Sequence, residues 1–160
     1  MVISNSSPLI NLSGIGQLHL LKRLYRHIDV PLAVWNEVVV KGRSKPGAVE
    51  ISEALWIRKQ HVANTQLVTA LRQSIHAGEA EAIALAVERK SSLLLIDDAI
   101  ARDIAKGLGL NCVGILGILR EAKHKELVRL IKPILDQLRG NMGFWINEEL
   151  YRVFLSSMNE

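Results

Sequence analysis

Short apolar runs alternate with longer stretches of helical periodicity along most of the chain. "VIS" at 2–4 reads as a buried strand, and "PLINLSGIGQLHLLKRLY" at 8–25 follows with Leu9, Leu12, Ile15, Leu18, Leu21 and Leu24 spaced by three. That spacing predicts an apolar helical stripe, with Gly14 and Gly16 as the point where it divides. Ser7 followed by Pro8 reads as a helix start, because serine caps free amides and proline suits the first turn. "HIDVP" at 27–31 predicts a second strand, "LAVWNEVVV" at 32–40 a short helix, and "KGRSKPG" at 41–47 a basic turn before a helix around 48–55. "WIRKQHV" at 56–62 suits an edge strand. Helices are predicted at 65–75 and 78–90, and the clearest strand is "SSLLLI" at 91–96, which ends in Asp97 and Asp98. A helix at 99–109, a strand in "LNCVGI" at 110–115 and helices at 116–125, 127–140 and 147–158 complete the pattern.

Strands separated by helices predict an α/β fold with a parallel sheet covered on both faces, in one domain spanning 1–160. Ligands of such sheets bind beyond the carboxyl ends of the strands. Two strands end in notable residues, Asn5 and the pair Asp97 and Asp98.

Composition narrows the picture. The chain has 160 residues, 49% hydrophobic and 22% charged, which is the profile of a globular domain. Its formal charge of +4 is concentrated in "KRLYR" at 22–26, "KGRSK" at 41–45 and "REAKHKELVR" at 120–129, patches that suit phosphate or simply a solvated surface. Cys112 is the single cysteine, so an intrachain disulfide and a cysteine-based zinc site are excluded, and a cytoplasmic location is expected. No run reaches the roughly twenty apolar residues of a membrane span. The five histidines lack zinc spacing, and no phosphate-binding loop or nucleophile elbow is present. The three tryptophans fall at apolar periodic positions and read as core or interface anchors.

The acids carry the candidate chemistry. Asp98 is well placed to cap the helix at 99, and a strand-end aspartate often does no more than that. Glu79 and Glu81 open the helix at 78–90, where negative charge complements the helix dipole. Glu79 shares a face with Ala82, Ile83 and Ala86 and so lies beside the core, whereas Glu81 points elsewhere. Glu37 is the only charge in its apolar stretch. Carboxylates gathered in one cleft raise one another's pKa unless a cation holds them, and Mg²⁺ or Mn²⁺ suits oxygen ligands and phosphodiester hydrolysis.

"VISNSSPLI", "WNEV", "GEAEAIALA" and "LLLIDDAIARDIAKGLGL", in this order, followed by "GILGILREAK" and "ELYRVFL", resemble the PIN domain family, in a prokaryotic branch related to VapC-type toxins. The resemblance implies a three-layer α/β/α sandwich with acids at the carboxyl edge of a parallel sheet, binding Mg²⁺ or Mn²⁺ for endoribonuclease chemistry. It also implies a toxin neutralised by a small antitoxin protein, often as a homodimer, with RNA as substrate. Residue by residue, the family's acids fall on Asn5, Glu37, Glu79 (or Glu81) and Asp98 or Asp97, and Ser7 matches the accompanying hydroxyl. Asn5 departs from the pattern: its amide oxygen still ligates, but one unit of negative charge is lost. A relative that retains the fold as an RNA- or protein-binding module, with weakened or lost catalysis, is the alternative.

Overall fold

A computed structural model describes residues 1–160. Five parallel strands form one sheet: β1 (Val2–Ser4), β2 (Ile28–Pro31), β3 (Ile57–Gln60), β4 (Leu93–Leu95) and β5 (Cys112–Val113), in the order β3-β2-β1-β4-β5. β1 lies at the centre, with Ser4 in register with Leu95. The helices are α1 (Ser6–Gly14), α2 (His19–Tyr25), α3 (Leu32–Trp35), α4 (Ala48–Glu53), α5 (Thr65–Leu71), α6 (Ala77–Glu88), α7 (Ala99–Gly107), α8 (Ile115–His124), α9 (Lys132–Asn141) and α10 (Glu148–Ser157). A π-helical segment, Asn36–Lys41, continues α3.

The alternation of side chains along the strands divides the core into two layers. Ile3, Leu94 and Ile96 face the alanines of α6 together with Ala101 and Ala105 of α7. Leu95, Ile28 and Val30 point the other way, towards α1, α2, α8, α9 and α10. This is the α/β/α sandwich that the alternation of elements predicts. Alanines at 80, 82, 84 and 86 let α6 bury almost its whole circumference, so its backbone approaches the sheet closely and its amino end is held firmly at the sheet edge. No helix is long and apolar enough to cross a membrane.

Several local expectations need correction. The first helix starts two residues earlier than the Ser7–Pro8 signal indicates: Asn5 is the N-cap, and Ser7 lies within the first turn. The stripe from Leu9 to Leu24 does divide, at Gly16, whose φ of +68° ends one helix before the next begins. The helix expected over 127–140 begins only at Lys132. Pro133 stands in its first turn, and a helix running through it would lose an N–H and clash with the carbonyl four residues back. The stretch 32–40 is helical, but its second half is π-wound and closes at Gly42. A Cβ there would lie 2.4 Å from the Val38 carbonyl oxygen. Trp145 is no core anchor, being 82% exposed, so of the two roles expected for the tryptophans only an interface one is open to it.

Candidate active site

In a parallel sheet every strand sends its carboxyl end to the same edge, and the helices that follow begin there. The amino ends of α1, α3, α7 and α8 therefore meet at the carboxyl ends of β1, β2, β4 and β5, and α6, which returns the chain to the amino end of β4, also starts at this edge. Their free amides give the edge a positive character before any side chain is added.

Asn5 is the first residue beyond β1. Its backbone N–H donates to the Leu95 carbonyl at 3.0 Å, which extends the ladder to β4 by one step. It occupies the N-cap of α1 and is 1% exposed, yet its side chain caps nothing: Oδ1 and Nδ2 are both buried without a partner. Asn64, Asp98 and Asn147 occupy the same position on α5, α7 and α10, and each accepts the expected amide, at 3.1, 2.8 and 2.7 Å. Leaving a buried polar group unpaired costs about 1–3 kcal/mol. An asparagine that forgoes its cap bond at that cost is arranged for something other than helix stability.

Asp97 stands two residues past Leu95 on the neighbouring strand. Its Oδ1 accepts the Ile115 amide at 2.7 Å, tying the end of β4 to the start of α8, while Oδ2 is buried without a partner. Burial holds its carboxyl above the usual aspartate range, with the Ile115 amide and the Arg102 guanidinium pulling the other way. Gly114 makes this approach possible, since a Cβ there would lie 2.6 Å from Asp97 Oδ1. Asp98 is exposed and caps α7 through Ala101, as the capping expectation had it, and its second oxygen takes no part in that bond.

Glu79, in the first turn of α6, has a buried Oε2 without a partner. Glu37 is exposed on the π-helical segment and accepts a hydrogen bond from the Ser6 hydroxyl at 2.6 Å. Gly78 packs directly on this pair: a Cβ there would lie 3.0 Å from Glu37 Oε2 and 3.5 Å from Ser6 Oγ. The start of α6 is therefore clamped to the start of α1 through Glu37. Glu81 accepts the Ala33 amide at 2.9 Å and anchors α3. The hydroxyl that reaches an acid is that of Ser6; Ser7 makes no such bond.

The candidate residues thus fall into three groups. A cleft of about 330 Å³ holds Glu79 and Asp98, a second of about 730 Å³ holds Glu37 and Glu81, and at the strand ends Asn5 lies buried and Asp97 half-buried with its Oδ2 enclosed. No three His, Cys, Asp or Glu side chains converge as a ready metal cage. The donor chemistry nevertheless fits a hard divalent cation: Asn5 Oδ1, Glu79 Oε2 and Asp97 Oδ2 are all oxygens, buried and unpaired. Ser6, Gly78, Arg72 and His76 were not singled out by sequence reasoning. Gly78 directly before Glu79 is the one that carried a signal, as a small residue where a helix start must approach an acid closely.

A family model described as a PIN domain matches residues 1–160, a family whose members are generally nucleases. No curated protein matches the chain. The parallel five-stranded sandwich, the polar carboxyl edge and the match over its whole length place this chain in the PIN domain family.

Proposed function

We propose that the protein is a metal-dependent endoribonuclease and the toxin of a type II toxin–antitoxin pair related to VapC. The observation that carries this reading is the set of three buried, unpaired oxygens on Asn5, Glu79 and Asp97, at the edge where PIN-type chemistry is expected. Asn5, Glu79 and Asp97 would hold Mg²⁺ or Mn²⁺, with Glu37 and Asp98 completing the charge around it. When bound, the ion supplies a more acidic water and neutralises phosphate charge. The chain's own groups do the rest. Ser6 fixes Glu37 Oε2, whose side chain lines the larger cleft, and the Ile115 amide fixes one oxygen of Asp97 while the other keeps no protein partner. The reaction class is hydrolysis of an RNA phosphodiester by water. Exposed apolar side chains at Leu55, Trp145, Leu150 and Val153 offer faces for an antitoxin segment or a second copy of the chain, and the single cysteine suits the cytoplasm.

Incubation of the purified protein with structured RNAs and Mn²⁺ tests this reading. Asp97→Ala is expected to lower cleavage by about a hundredfold, and Asp98→Ala by less, since its cap bond is separable from its free oxygen. No cleavage by the wild type, or cleavage untouched by both substitutions, overturns it.

The neutral Asn5 and the lack of three converging acids favour a second reading, an RNA- or protein-binding PIN relative with weakened catalysis. Calorimetric titration with Mn²⁺ separates the two. Binding that disappears in Glu79→Ala supports the nuclease, and absence of binding at millimolar metal supports the binding module.

A further inference from the structure

Arg72 and His76 line both clefts at once, so they form the ridge between the Glu79–Asp98 side and the Glu37–Glu81 side. They mark the two ends of the turn that joins α5 to α6: Arg72 closes the first helix and His76 is the N-cap of the second. Both are exposed, and four carboxylates line the clefts on either side of them. Even so, Arg72 forms no ion pair and neither side chain makes a hydrogen bond, although Arg72 carries five donors that a nearby carboxylate would readily accept. A permanent cation without a partner between two acid-lined clefts is available to an incoming anion. Lys41 also lines the larger cleft, Lys45 lines a smaller cavity on another side of Glu37, and Arg43 lies exposed between them in the chain.

We propose that Arg72 and His76 hold consecutive phosphates of a single RNA strand. The strand crosses from the Glu79–Asp98 cleft over this ridge into the Glu37 cleft and continues along Lys41, Arg43 and Lys45. The inference rests on the reading of this edge as an RNA-hydrolysing site and adds the path of the strand. The arrangement suits a polyanion better than a small ligand, because the two clefts share a wall and further cations line the larger cleft and the cavity beside Glu37. Guanidinium and imidazole N–H groups are directional donors to phosphate oxygens, and the acids on either side leave room for the strand only where the cations offset them.

Fluorescence anisotropy with a labelled single-stranded RNA of about twenty nucleotides, in EDTA and over a salt series, tests the path without any metal or cleavage. Arg72→Ala with His76→Ala is expected to weaken binding about tenfold and to flatten the salt dependence by about one unit, as loss of one to two phosphate contacts requires. Arg72→Lys should recover part of the loss, and Lys41→Ala with Lys45→Ala should give a smaller loss. Lys22→Ala with Arg23→Ala, on α2 before the amino end of β2, should change nothing. Unfolding curves establish that these exposed substitutions leave the fold intact. Unchanged affinity in the ridge variant, a loss equal to that of the α2 variant, or displacement of the RNA by polyglutamate as readily as by unlabelled RNA would each overturn the proposal. Because binding is read in EDTA, a dead catalytic site leaves this result untouched, and an active enzyme with unaltered RNA binding removes the ridge alone.

Discussion

Two sets of polar side chains with buried atoms lie along the same sheet, and they are treated in opposite ways. Asp29 on β2 is fully buried and fully satisfied: Arg58 meets both of its oxygens at 3.1 and 2.8 Å, and Gln60 adds a third bond at 2.7 Å. Asn5 and Asp97, one and two strands away, and Glu79 on α6 each keep at least one buried atom with no partner. The first set ties the edge strand β3 to the sheet, with Asp29 in register with Arg58. The second contributes one such tie, from Asp97 Oδ1 to the Ile115 amide, and its remaining buried atoms bond to nothing in the protein. Polar burial that is complete serves the fold, and polar burial left incomplete at the carboxyl edge is the observation on which the proposed metal site rests.

The largest effect that would break this comparison lies on the satisfied side. Arg58→Ala strands the Asp29 carboxylate in the core with Gln60 as its only partner. It should cost about 2–3 kcal/mol in urea unfolding, below the usual range for a buried pair because Arg58 is itself half-exposed. A cost under about 0.5 kcal/mol would mean that Asp29 is not held as described.

On the unsatisfied side the sign reverses. Asp97→Asn keeps the acceptor for Ile115 and removes a desolvated charge, so it should stabilise the metal-free protein by about 1 kcal/mol near neutral pH while impairing cleavage. Burial raises the folded-state pKa of Asp97, so the native state holds its proton more tightly than the unfolded chain. Wild-type stability from this group therefore falls as pH rises from the ordinary aspartate value, about 3.9, through the raised one. The advantage of Asp97→Asn should vanish at low pH and be complete above that window, and Mn²⁺ should raise the Tm of the wild type more than that of the variant. A gap independent of pH and metal would count against it.

The smallest effect is the most diagnostic. Asn147→Ala removes a working cap and should cost about 1 kcal/mol, whereas Asn5→Ala removes a cap residue that caps nothing and should stay within about 0.5 kcal/mol of wild type. Equal losses in thermal unfolding would show that Asn5 is structural after all.

Much of the fold was legible because its signals are local. β1, β2 and β4 are short apolar runs bounded by polar residues, and α6 and α7 follow strong apolar periodicity. The candidate site was legible as residue types at strand ends and helix starts, which is how Asn5, Glu79, Asp97 and Asp98 are picked out as candidates. What escaped depends on contacts between distant segments. Asp29 reads as one polar residue in "HIDVP", and only the pairing with β3 brings Arg58 and Gln60 to it. Ser6 and Ser7 are indistinguishable in "NSS" until the helix phase selects the one that meets Glu37. Arg72 and His76 sit in a turn whose periodicity carries no information, so their place between two clefts appears only in three dimensions.

Glu37 reaches Ser6 from a segment wound with one more residue per hydrogen-bonded ring than an α-helix, an arrangement that is rare and frequent at functional sites. Each residue of an α-helix turns the chain by about 100°. Relaxing Asn36–Lys41 to ordinary winding would shift the angular relation between its two ends and oblige either Glu37 to leave the cleft or Gly42 to leave its seat against the Val38 carbonyl. The acidity of the larger cleft is in this sense a matter of phase: it is set by the pitch of six residues as much as by their identity. Insertions and deletions in this stretch should therefore be harder to accommodate than substitutions.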